Sequence, residues 1–97
     1  MAKGRTSVSK VIRANVRAVY DAGPEQNDRY TVVLKPVWEA NPGHSQCLGF
    51  NAQPTHPSYG ISQFSECVVG RHLGKKIKFA DLPEHLREHV VGRLAQD

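Results

Sequence analysis

Long hydrophobic runs are missing from this 97-residue chain. No apolar stretch approaches the roughly 20 residues that a membrane-spanning helix needs, and mean hydropathy is −0.48. A helical span is therefore excluded, and no membrane partner is expected. The opening MAKGRTSVSK has charge but no apolar segment behind it, so it does not read as a secretory signal. Cysteine is sparse, with two residues, Cys47 and Cys67. Without an export signal the expectation is a cytoplasmic protein with reduced, unbonded thiols.

Catalytic signatures are missing too. There is no G-x-S-x-G, no P-loop and no dinucleotide fingerprint. The sequence is therefore read as non-enzymatic. Acid is absent from two stretches. Residues 1–20 carry Lys3, Arg5, Lys10, Arg13 and Arg17 with no carboxylate, and residues 71–79 carry Arg71, Lys75, Lys76 and Lys78 with none. A net charge of +4 placed this unevenly points to an anionic partner such as RNA, DNA, a nucleotide or another phosphate-bearing molecule.

The apolar content of 39% suffices for one modest core. The expected organisation is a flexible basic arm over residues 1–9 and a single globular domain over residues 10–97. In KVIRANVRAVY, residues 10–20, Ile12, Ala14, Val16, Ala18 and Tyr20 alternate with mostly polar neighbours. That is the period of a half-buried strand, favoured by the β-branched residues. A helical stripe of Val8, Ile12, Val16, Val19 and Tyr20 competes with it. YTVVLKPVWE reads as a strand, with Tyr30, Val32, Leu34 and Trp38 facing inward. Pro36 places it at a sheet edge or ends it at a bulge. These two strands form a hairpin around the turn-rich DAGPEQNDR.

QCLGFNA reads as a short third strand, and SQFSECVVG as a short helix capped by Ser62 and ended by Gly70. KKIKF reads as a strand with Ile77 and Phe79 inward. DLPEHLREHVVGRLAQ is the clearest helix, with Asp81 as its cap and Leu82, Leu86, Val90 and Leu94 on its buried stripe. The fold class is α+β: a small, mainly antiparallel sheet of three or four strands with a C-terminal helix packed on one face. The other face would then show Arg13, Arg17, Lys35, Lys76 and Lys78.

His44-x2-Cys47 and Cys67-x4-His72 are two pairs of possible zinc ligands. Their spacing is not that of a regular zinc motif, and a buried cysteine is ordinary. Structural thiols and surface histidines are the simpler reading, and no cofactor is assigned. His85, Glu88 and His89 match the inverted zincin pattern H-x-x-E-H. Only eight residues follow His89, and a solvated helix face accounts for the match. GRHLGKK could offer backbone amides to a phosphate, or simply be a tight turn.

Taken together, these features suggest a small non-enzymatic binding protein for an anionic ligand. Arg13, Arg17, Arg71, Lys75, Lys76 and Lys78 would supply charge, and Tyr59 and Phe50 would stack on a base. The alternative is a phage- or mobile-element-type inhibitor or adaptor, acting by protein–protein contact through residues 40–60.

Overall fold

The computed structural model describes residues 10–37 and 43–95; the basic arm 1–9 and Trp38 lie outside them. A helical segment, α1 (residues 10–15), leads directly into β1 (Val16–Asp21). The remaining elements are β2 (Tyr30–Val37), β3 (His44–Phe50), β4 (Ser62–Val68), β5 (Lys75–Ile77) and the helix α2 (Glu84–Leu94). Short 3₁₀ turns at Arg71–Leu73 and Phe79–Asp81 flank β5. The strands form one five-stranded sheet in the order β4-β3-β2-β1-β5, antiparallel throughout. The expected α+β architecture is present, with one strand more than the sequence suggested.

Both helices pack on one face of this sheet. Tyr30, Val32 and Leu34 of β2 alternate inward and meet Leu48 and Phe50 of β3. Leu82, Leu86 and Val90 recur at four-residue spacing and close over them, each at most 1% exposed. Ile12 of α1, with Val16, Ile77, Phe79 and Leu94, packs at the margin of this core. The cap differs from expectation. Pro83 occupies the N-cap of α2, while the Asp81 carboxylate accepts the Lys78 N–H and so closes the preceding 3₁₀ turn.

Three local readings need correction. Residues 10–15 are helical, and strand structure begins only at Val16. A β-bulge then falls between Val16 and Ala18, because Val16 pairs with Leu34 and Ala18 with Val33. Arg17 is the extra residue, and it reverses the strand's parity. Val19, not Ala18 or Tyr20, is therefore the core residue. Second, Ser62–Val68 is a strand, not a helix. It lies at the sheet edge with most side chains exposed, so neither face imposes a clear alternation. Third, of the two alternatives at Pro36 the edge is the wrong one: β2 lies inside the sheet, and Pro36 falls within the bulge-type irregular stretch of its pairing with β3, between Val33 and Val37. A missing ladder donor is tolerated there.

The connection from β4 crosses to the opposite sheet edge and enters β5 at Gly74. Its φ of +112° lies in the region that favours glycine, and a Cβ there would collide with the Asp21 carbonyl.

Candidate anion-binding groove

The structure brings two residues of each basic block together, Arg13 and Arg17 with Lys76 and Lys78. Among the described residues, β5 pairs only with Val19–Asp21 of β1. Beyond Ile77 the chain turns into the 3₁₀ segment, leaving Val16–Ala18 without a neighbour on that side among the described residues. A groove opens there. Its apolar lining is Ile12, Val16, Ile77 and Phe79, and its rim carries Arg13, Arg17, Lys35, Lys76 and Lys78. No carboxylate lines it among the described residues.

Each cation arrives by a different route. Arg13 comes from α1, Arg17 from the bulge, Lys35 from β2 and Lys76 from β5. Lys78 follows one residue after β5 ends. Lys35 Nζ donates to the Arg13 carbonyl at 2.9 Å, which ties β2 to α1. Arg17 Nη1 donates to Ser45 Oγ at 3.1 Å. Arg13, Lys76 and Lys78 have no side-chain ion pair among the described residues. Exposed like charges gathered without counter-charge raise the local positive potential, which attracts an anion. The backbone edge below them adds polar groups that a ligand can engage.

Other candidates fall elsewhere. Lys75 stands opposite Asp21 across the β1–β5 pairing, and Arg71 lies in the exposed 3₁₀ turn; neither lines the groove. Phe50 is fully buried, with its ring stacked on Tyr30 and edge-on to His89, so it has no face left for a base. Tyr59 is 57% exposed but lies in the 51–61 loop, outside the groove lining.

The four possible zinc ligands are not assembled. Cys47 and Cys67 are joined by a disulfide with Cα atoms 6.2 Å apart, which overturns the expectation of reduced thiols. They occupy diagonal positions on neighbouring strands, Cys47 facing Ser65 and Cys67 facing Ser45. On one sheet face such diagonal side chains are within reach of each other. His44 has the opposite parity on β3 and pairs instead with Glu66. His72 lines a small cavity with the two cysteines, Asp28 and Gln26, but the cysteine sulfurs are bonded to each other and so are not thiolate ligands. No group of three or more His, Cys, Asp or Glu suited to a metal occurs among the described residues.

The H-x-x-E-H histidines of α2 are also engaged separately. His85 Nε2 bonds the Ala52 carbonyl at 2.9 Å, and His89 Nε2 bonds Ser62 Oγ at 2.7 Å. Burial, aided by the charge of Arg93, holds the His89 pKa below its usual value. Both histidines fasten the helix to the β3–β4 side of the sheet.

Reading the sequence missed Ser45, which anchors Arg17, and Arg29. Arg29 donates to the Asp21 carboxylate through Nε at 3.0 Å and Nη2 at 3.3 Å. This lowers the Asp21 pKa, with the Gly23 N–H assisting against partial burial. Opposite charges flanking a Gly-Pro turn were the available signal. No family model, no curated protein and no solved structure matches this chain.

Proposed function

We propose that this protein is a non-enzymatic binding module whose groove between α1, β1 and β5 takes a phosphate-bearing ligand, with nucleic acid as the favoured class. The supporting observation is the meeting of Arg13, Arg17, Lys35, Lys76 and Lys78 around one groove with no lining carboxylate among the described residues. These residues come from chain segments about 60 positions apart, so their meeting is a product of the fold and not of a local charge run. Lysine offers phosphate a mobile point charge, while arginine adds a planar fork for two parallel hydrogen bonds. The apolar floor lowers the local dielectric and strengthens each contact.

The test is a titration of the full chain with short single-stranded and duplex oligonucleotides at two salt concentrations. Lys76→Gln with Lys78→Gln should weaken binding and flatten the salt dependence by about one unit per lost duplex phosphate contact. Arg13→Gln should act in the same direction. If the parent chain binds none of these ligands even at low salt, the reading fails.

One observation favours the protein-contact reading as an alternative. The edge strand β4 exposes Phe64 (38%) and Val68 (48%) beside unpaired backbone. Such an edge can accept a further strand.

A further inference from the structure

The hairpin loop 22–29 and the loop 51–61 face each other across a cleft of about 740 Å³, at the other end of β1 from the basic groove. That size lies within the range of small-molecule sites. Its lining has a different character. Gln26, Asn27, Asn51 and Gln53 contribute amides, Tyr59 contributes an aromatic ring, and Arg29 is the only charged residue among the described ones. The Arg29 charge is already matched by Asp21, which binds two of its nitrogens. The site is thus rich in hydrogen-bonding groups and close to electrically neutral.

Tyr59 is held in place before any ligand arrives. Its ring stacks on His56 with centroids 3.5 Å apart and an interplanar angle of 18°. Tyr59 lines the cleft and His56 does not, and the stack on His56 covers one face of the Tyr59 ring and leaves the other uncovered by it. The Tyr59 hydroxyl donates to Gln53 Oε1 at 2.7 Å, and the Tyr59 carbonyl accepts from Asn51 Nδ2 at 2.7 Å. Ser58 N–H and Tyr59 N–H both donate to His56 Nδ1. The next residue, Gly60, donates its N–H to the His56 carbonyl, and a Cβ there would stand 2.5 Å from the Pro54 carbonyl oxygen. The loop closes on itself so tightly that only glycine fits. An exposed ring fixed in this way loses little further freedom when something stacks on it.

Across the cleft, the Gln26 and Asn27 side chains have no hydrogen-bond partner among the described residues and are free to pair with a ligand edge. We propose that this cleft binds a nucleobase, stacked on the free face of Tyr59 with its hydrogen-bonding edge towards Gln26 and Asn27. Bases present flat π-faces that stack on tyrosine and edges that side-chain amides match in pairs. The near-neutral lining favours the uncharged base over a phosphate. The base comes either from a free nucleoside or from an unstacked position of a single strand. The inference does not depend on the groove, because a nucleoside carries no phosphate.

The experiment follows backbone amide and tyrosine ring resonances of the full chain by NMR. It uses adenosine, guanosine, cytidine and uridine, then a short single strand and an abasic strand of equal length. The expected result is saturable shifts at Tyr59, Gly60, Gln26 and Asn27 with at least one nucleoside or with the intact strand. The abasic strand should leave these residues unmoved. Tyr59→Leu should lower affinity about tenfold or more. Tyr59→Phe, which keeps the ring, should retain binding, and so should Lys76→Gln for nucleosides. Tighter binding by the strand than by the nucleoside identifies the strand as the source of the base. Two results would overturn the proposal: no saturable shift from any nucleoside or the intact strand, or equal shifts from the abasic strand. If Tyr59→Leu disturbs the loop, Gln26→Ala with Asn27→Ala serves in its place, and unchanged affinity there overturns the proposal equally.

Discussion

The guanidinium of Arg17 donates to the hydroxyl of Ser45 at 3.1 Å, joining β1 to β3 although β2 lies between them. Two strand spacings are about 9.6 Å, which an extended arginine side chain spans. Ser45 is fully buried. An exposed bulge residue thus satisfies a buried hydroxyl two strands away, and a side chain that the sequence assigns to ligand binding also has a structural task.

That relationship predicts an asymmetry. Arg17→Met removes the donor and leaves the buried Ser45 hydroxyl without it, so it should cost about 1–2 kcal/mol. Ser45→Ala removes the buried acceptor and releases Arg17 to water, and should cost less. Lys76→Gln, whose side chain has no such partner among the described residues, should stay within about 0.5 kcal/mol of the parent. Urea melts of the three variants measure this. Equal stability of Arg17→Met and Lys76→Gln would show that the bond contributes nothing.

The Cys47–Cys67 disulfide closes a loop of sequence separation 20. Thiol titration of the denatured, non-reduced protein should find neither cysteine free. Reduction should lower stability by about 3 kcal/mol, the value expected for a loop of this length. Two titratable thiols before reduction would contradict the bond.

Two positions on α2 should respond in opposite directions. Leu86 is fully buried, and Leu86→Ala should cost about 2–5 kcal/mol through lost burial and a residual cavity. Gly92 is exposed on the same helix, and a Cβ there meets nothing within 4 Å. Gly92→Ala should therefore raise stability by about 0.4–1 kcal/mol. Thermal or urea unfolding of each variant provides the check.

Acidification should weaken the protein in two steps. Burial depresses the His89 pKa below its ordinary 6.5, so the unfolded chain takes up this proton more readily than the folded one. Stability is therefore full above the ordinary value and declines as pH falls below it. Asp21, whose pKa the Arg29 pair depresses below 3.8, contributes stability above that value and loses it as pH falls through the folded pKa. Unfolding measured from pH 8 to pH 3 should show both slopes. His89→Gln should remove the upper slope, and Asp21→Asn the lower. An unchanged upper slope in His89→Gln would place its origin elsewhere.

The sequence by itself determined the elements whose signals are local and repeated. Leu82, Leu86 and Val90 mark a helix stripe, and Tyr30, Val32 and Leu34 mark a strand, because each pattern records one buried face. Those two patterns are enough for the α+β class and for the side of the sheet that α2 covers. Other features depend on neighbours distant in the chain, and only the tertiary structure decided them. The bulge at Arg17 reversed the parity of β1, since one inserted residue turns every later side chain to the opposite face. β4 carries little alternation because an edge strand is solvated on most sides. The disulfide required Cys47 and Cys67 to share a sheet face at a diagonal. The basic groove required β5 to stop at Ile77, so that Lys76 and Lys78 meet Arg13 and Arg17 beside an open stretch of β1. Charge blocks are legible along a chain, but whether they converge depends on strand order and register, which pairing between remote residues sets.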